Sequence, residues 1–442
     1  MSGSKIHWGW SIGLAGGAAW VGWWPAQHEF WHIAGGYTLA FLGYLGLMSK
    51  GGPPVKHLFA LAILARLLLW PAMPQLSDDI YRFLWDGRLI LSGINPFAAT
   101  PAELMGWPRL PNGITPELFA RLNSPEYFTI YPPVAQGIFA LSCLAFPESI
   151  YGSTMLMKAF LFCFELGSIW LLPKLLARVG LSERAAFWYL LNPLILVEVM
   201  GNLHFEGAMV FFLVAALWGL HRKKLALSAL AMALAVAAKL LPLIFMPFLI
   251  RLLGIKGSIR YFALMGAVLL LLFGPLLGQA FFDGFGSSLD LYFRRFEFNA
   301  SVYYLLRWAG YQWAGYNLIA WIGPSLAVGT FFGVLLLAYK EAQQGGEPMR
   351  MGYWLAAICL YLAFTPTVHP WYVALPLLLS CFTRFRFPVA WSILVPLTYI
   401  NYQGGVYHEN LAVVALEYLA VAGWGVWEWR WGSAAKKSPT AA

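Results

Sequence analysis

Two adjacent aspartates, Asp78 and Asp79, stand at the head of the segment SDDIYRFLWDGR, and Arg82 and Asp86 follow Asp78 at four-residue steps. Carboxylates at the start of a helix do one of two things. They accept the orphan backbone N–H groups of the first turn, or they take a proton from a hydroxyl brought to them. Ser77 supplies a cap, and Ile80, Phe83, Leu84 and Leu91 give the same segment an apolar side. That pattern predicts an amphipathic helix on a membrane surface, holding Asp78, Arg82 and Asp86 along one face. His204 and Glu206 follow Gly201-Asn202, and His369 stands in TPTVHPWY. Together with the aspartates they could bind a divalent metal, although no HExxH pattern is present.

The element that positions these groups is a membrane bundle. Of 442 residues, 60% are hydrophobic and only 11% charged, with a mean hydropathy of +0.65. A soluble domain carries about 25% charged residues, so a soluble enzyme, a disordered chain and a secreted disulfide scaffold are excluded. The four cysteines lie inside apolar runs, which predicts buried thiols. Apolar runs recur from residues 8–25 to 410–430, the first reading as a retained signal anchor. They predict an all-α polytopic membrane protein with about 12–14 transmembrane helices and amphipathic helices in its outer loops.

Lys and Arg orient the chain. With a cytoplasmic N-terminus, 19 of the 29 basic residues fall inside, seven outside, and Arg66, Lys158 and Lys239 at membrane depth. The net charge of +9 is thus a positive-inside bias, not a nucleic-acid patch. The threading needs 131–147 to remain a short or re-entrant helix, and 225–252 to break at Lys239–Pro242. Residues 1–431 then form one transmembrane domain with two long outer loops, 74–130 and 281–316, and 432–442 a disordered cytoplasmic tail. All five aspartates lie in those loops, on the outer face. Arg66 is expected to pair locally or snorkel, and Lys158 and Glu165 are too far apart on one helix to pair directly.

SDDIYRFLWDGRLILSGINPFAATP followed by TIYPPVAQ resembles the GT-C superfamily of polyprenyl-phosphate-sugar-dependent glycosyltransferases. It is most similar to the bacterial mannosyltransferase-like branch related to the first mannosyltransferase of GPI-anchor assembly. LLNPLILVEVMGNLHFEGAM, AKLLPLIFMPFL, FNASVYYLL and TPTVHPWYVALPLL agree in the same order, so the resemblance covers about residues 75–385. It implies a GT-C-like bundle in the cell membrane, a lipid-linked hexose (mannose) donor, a lipid or glycan acceptor, and an inverting reaction on the outer face. It also implies a catalytic acid in the first large outer loop. That role falls on Asp79 or Asp78.

Such a donor leaves as a lipid phosphate, so three jobs follow: a base for the acceptor hydroxyl, cations for the phosphate, and an apolar groove for the lipid. Arg294 and Arg295 offer forked phosphate donors, with Lys239 and His369 as further candidates. Arg82, Asp86, Tyr131, His204, Glu206, Asn299, Trp371 and Tyr372 are candidates for holding sugar or acceptor. The alternative is a transporter or flippase of a lipid-linked sugar. It would need polar groups along a path through the membrane, whereas the aspartates here lie to one side.

Overall fold

The computed structural model describes residues 2–344 and 349–431; the expected tail 432–442 lies outside the described residues. The chain is an all-helical membrane protein. Its helices of ten or more residues are α1 (Ser2–Trp23), α2 (Phe30–Met48), α3 (Val55–Leu69), α4 (Asp79–Leu91), α5 (Pro133–Ala145), α6 (Ile150–Arg178), α7 (Glu206–His221), α8 (Leu225–Ala238), α9 (Met246–Phe273), α10 (Gln279–Arg294), α11 (Val302–Ala314), α12 (Ile319–Gln343), α13 (Met351–Phe364) and α14 (Leu411–Trp431).

Among the described residues, four helices are long and apolar enough to cross a membrane: Ile150–Arg178, Leu241–Leu276, Ile319–Gln343 and Leu411–Trp431. A fifth candidate is the pair Pro193–Gly201 and Glu206–His221, bent by 113°. The first two apolar runs form uninterrupted helices of 22 and 19 residues, α1 and α2, and Pro133–Ala145, Leu225–Ala238, Met351–Phe364 and Pro370–Ser380 are shorter apolar helices. The break expected at Lys239 is present: α8 stops at Ala238, Lys239 is extended, and a 3₁₀ turn, Leu241–Phe245, leads into α9. Pro242 lacks the N–H that would continue α8, which accounts for the stop. A second kink occurs inside α9 at Gly254 (φ 65°, ψ 170°).

Buried charges tie the bundle together. Arg66 of α3 is fully buried and donates to Glu165 of α6 through Nε at 2.8 Å and Nη2 at 2.5 Å. It neither snorkels nor pairs locally, because its partner is 99 residues away. Lys158, one element with Glu165 but two turns earlier, caps the carboxyl end of α3, donating to Leu69 O at 3.1 Å and to Ala72 O. An orphan carbonyl at a helix end buried from water needs such a donor. Cys163 departs from the expected buried thiols: it is exposed on α6.

The helix expected on the membrane surface is instead buried. In α4, Ile80, Phe83, Leu84, Trp85 and Leu89 are buried, and so are Arg82 and Asp86 on the opposite side. Arg82 Nε donates to Asp86 Oδ1 at 2.9 Å; Gln136 Nε2 donates to Asp86 Oδ2 at 2.9 Å, and the Thr129 hydroxyl donates to the same oxygen. The carboxylate is thus satisfied by protein groups, which removes the need for a water-facing surface. α4 packs on α5.

Candidate active site

Residues 76–82 and 123–131, the α8 break and the segment before residue 374 converge on one polar cavity of about 420 Å³. Its lining includes Asp78, Asp79, Arg82, Tyr131, Lys239, His369, Trp371 and Tyr372. An apolar cavity of about 460 Å³ adjoins it, walled by Met209, Leu243, Ile244, Phe331, Val334 and Phe364 among others. Ile130, Tyr131, Lys239 and Tyr372 line both.

Asp79 is held from two sides. The Tyr131 hydroxyl donates to its Oδ2 at 3.0 Å and Asn123 Nδ2 to its Oδ1 at 3.4 Å. Asp79 is half-buried and Asp78 exposed. Burial raises the Asp79 carboxyl above its ordinary range, opposed by the Tyr131 hydroxyl, by the Lys239 charge and by Asn123. Asp78 is raised too, by burial and by the Asp79 charge. A carboxylate lifted in this way is a better proton acceptor than a free one.

Arg82 and Asp86 shape the site from behind. Arg82 Nη1 donates to the Tyr127 carbonyl at 2.7 Å while Asp86 grips Thr129. The pair fixes the loop that carries Asn123, Tyr127 and Tyr131. Asp86 is fully buried and outside the cavity lining, so its placement is that of a loop anchor rather than a sugar ligand.

Lys239 Nζ lies 3.0 Å from Glu206 Oε1 and 5.8 Å from the Tyr131 ring centre. It is partly exposed at the seam of the two cavities. Glu206 faces the apolar cavity, and its Oε2 has no hydrogen-bond partner.

The wall opposite α4 is a stack of rings. Phe298 stacks on His369 at 4.7 Å, His369 on Trp371 at 4.5 Å, and Trp371 on His204 at 3.6 Å between centroids. A short backbone bridge sets it up: Phe298 N donates to Pro366 O at 3.1 Å, and Val368 N to Phe298 O at 2.8 Å. Burial and the Lys239 charge push the His369 pKa down to about 3. His369 is therefore neutral near pH 7, able to hydrogen-bond a phosphate but not to neutralise one.

His204 is buried at the end of the stack, 3.5 Å from Glu198 Oε2. Glu198 also receives the hydroxyls of Tyr37 at 3.0 Å and Tyr399 at 2.8 Å. Trp371 stands between the two imidazoles and keeps them from one ion. Among the described residues no group of three or more His, Cys, Asp or Glu side chains could hold a metal. The expected metal set thus finds no common centre.

Three further candidates lie elsewhere. Asn299 is fully buried, its amide donating to both oxygens of Glu417 at 3.2 Å. It braces α14 behind the ring stack. Arg294 ends α10, Arg295 follows it, and neither lines either cavity; Arg294 Nε lies 3.1 Å from Asp290 Oδ1 one turn back. They stay exposed because α10 packs over the cavity through earlier residues, Ser288 donating to the Thr129 carbonyl at 3.2 Å.

Sequence reasoning missed Asn123, Phe298, Tyr402 and Tyr407, all of which line the polar cavity. Tyr402 and Tyr407 flank a Gln-Gly-Gly turn, the only local hint that their segment folds back.

Residues 11–254 match the family described as alpha-(1->6)-mannopyranosyltransferase, N-terminal domain. That span holds Asp78, Asp79, Tyr131, His204, Glu206 and Lys239, and ends before the His369 wall. Alpha-(1->6)-mannopyranosyltransferase B of Corynebacterium glutamicum is 29% identical over 145 residues, 33% of this chain and 23% of that protein. Alpha-(1->6)-mannopyranosyltransferase A of Mycobacterium tuberculosis is 27% identical over 225 residues, 50% of this chain and 41% of that protein. A probable alpha-(1->6)-mannopyranosyltransferase of Mycolicibacterium smegmatis is 25% identical over 186 residues, covering 42% and 31%. The chain spans less than half the length of these curated relatives. Because the match takes in more than half of the chain and the paired acidic and basic residues of the site, the chain belongs to the MptA_B family.

Proposed function

We propose that this chain is an integral-membrane mannosyltransferase. It moves mannose from a polyprenyl-phosphate donor to an outer-face lipid or glycan acceptor, with inversion. The observation that carries the reading is the seam at Lys239 and Tyr131, where an apolar cavity meets a polar one containing Asp79. A lipid phosphate sugar is amphipathic in the same sense: its isoprenoid tail suits the apolar cavity, its phosphate the Lys239 ammonium, and its sugar the polar cavity. The relatives' names specify an alpha-(1->6) bond, so the attacking group is the acceptor's primary 6-hydroxyl.

In the reaction, that oxygen attacks the anomeric carbon and its proton passes to Asp79. The bond from the anomeric carbon to the phosphate oxygen breaks, and its electron pair leaves with the phosphate, beside Lys239. One base suffices for inversion. Both termini are cytoplasmic in this reading, and residues 1–431 act as one catalytic unit.

The test is sugar transfer by the purified, reconstituted chain. Radiolabelled polyprenyl-phosphate-mannose is supplied with envelope lipid and glycan as acceptor, and wild type is compared with Asp79→Asn and Asp78→Asn. Transfer by wild type that is lost in Asp79→Asn and kept in Asp78→Asn is the expected result. Folded wild-type protein that transfers nothing from mannose, glucose or arabinose donors would overturn the reading in favour of a flippase.

A further inference from the structure

The polar cavity is also lined by Phe298, Tyr402 and Tyr407, and neither tyrosine has been given a role. Tyr407 stacks on Phe298 at 5.9 Å and meets Tyr402 edge-on at 5.4 Å. The turn between the two tyrosines runs through Gly404 (φ 84°) and Gly405 (φ 80°), a conformation that L side chains rarely adopt. It folds residues 403–410 back so that the Tyr407 ring reaches Phe298.

The segment is fixed at its base. Glu409 Oε2 receives the hydroxyls of Tyr407 at 2.6 Å and Tyr304 at 2.5 Å, and Glu409 Oε1 the Asn299 N–H at 2.8 Å. Two anchors from different elements hold a ring that is nonetheless 42% exposed, beside Val406 at 77%. A ring held in place in this way loses little freedom when a ligand packs on its face.

The chemistry of the cover follows from the surroundings. One face of a pyranose is a patch of slightly positive C–H groups, which packs on the negative π face of a tyrosine. Its edge is a ring of hydroxyls, which needs acceptors. Asp78 lines the same cavity and supplies one; Glu297 lines it too, but is taken up by Tyr303, Asn317 and Arg307. An isoprenoid tail would strip water from the Asp78 carboxylate and put no donor in its place, whereas a hydroxyl edge supplies one. We infer that Tyr402 and Tyr407, on the Phe298 backing, form the subsite that holds the acceptor's terminal hexopyranose, entering from the exposed Tyr407 end. This rests on the transferase reading above for its consequence in catalysis, but not for the binding itself.

The experiment uses the full chain in nanodiscs, as wild type, Tyr407→Ala, Tyr407→Phe and Tyr402→Ala. Binding of an alpha-1,6-linked mannotriose is measured directly, and acceptor and donor KM values are measured in the transfer assay. The expected result is about a tenfold loss of mannotriose affinity and an equal rise in acceptor KM for Tyr407→Ala and Tyr402→Ala, with donor KM unchanged. Tyr407→Phe keeps the ring face but loses the hydrogen bond to Glu409, so its affinity falls less than that of Tyr407→Ala. Unchanged mannotriose binding and acceptor KM in Tyr407→Ala, a rise in donor KM instead, or no mannotriose binding by wild type would each overturn the subsite. Mannotriose binding lost in the variants, with no transfer by wild type, sustains the subsite and sinks the transferase reading.

Discussion

Lys239 and Glu206 form an ion pair at the seam of two cavities, Nζ to Oε1 3.0 Å, with the second carboxylate oxygen unpartnered. The pair joins two helices, since Lys239 directly follows α8 and Glu206 begins α7. Removing the ammonium removes the positive charge that a departing phosphate would meet. Lys239→Met is expected to lower transfer by about 10²–10³-fold, the range for losing one preorganised electrostatic stabiliser. Single-turnover rates with labelled donor check this; a rate within a factor of three of wild type would remove Lys239 from the phosphate role.

Asp79 yields a pH prediction in which activity and stability move oppositely. Its carboxyl is raised in the folded chain from an ordinary value of 3.8. As a base it acts ionised, so the acid limb of the kcat/KM profile falls at a pH above that of a free carboxylate. For stability, a raised folded value means the folded state binds the proton more tightly than the unfolded one. That stabilisation is complete below about pH 3.8 and is lost as pH rises through the raised value. Asp79→Asn is therefore expected to be inactive yet more heat-resistant than wild type at pH 7, with the gap closing near pH 4. Thermal unfolding in detergent at both pH values decides it.

Arg66 and Glu165 are both fully buried. Deleting one partner strands the other's charge, so Arg66→Met is expected to destabilise by about 3–5 kcal/mol. The double variant Arg66→Met with Glu165→Leu should recover a large part of the loss. A double-mutant cycle on unfolding midpoints that shows simple additivity would contradict the pairing.

Gly87 sits where α4 meets α5. A Cβ there would lie 2.7 Å from Phe139 O and 2.8 Å from Phe139 C, both backbone atoms that cannot swing aside. Gly87→Ala is expected to cost about 1–3 kcal/mol by overpacking. It also pries apart the helices that carry Asp79 and follow Tyr131, so kcat should fall while donor KM changes little. Unfolding midpoints and steady-state kinetics on one preparation test both halves.

Composition and the length of the apolar runs determined that this chain is helical and lives in a membrane, because 60% hydrophobic residues gathered in runs of near-spanning length leave no water-soluble alternative. The break at Lys239 was also legible, since a charge and a proline interrupt one apolar run and no partner in space is needed to stop a helix there. Asp79 was legible only as one of two neighbours. What separates it from Asp78 is the Tyr131 hydroxyl, 52 residues on, and sequence spacing carries no such distance. Asp86 shares the periodicity of a surface helix, yet Thr129 and Gln136 satisfy it in the interior. A hydrophobic pattern records which residues are polar, not whether protein or water completes their hydrogen bonds. Arg66 and Glu165, and the ring stack from Phe298 to His204, join segments far apart along the chain. Such pairings are decided by helix packing, because only the folded bundle determines which distant side chains meet.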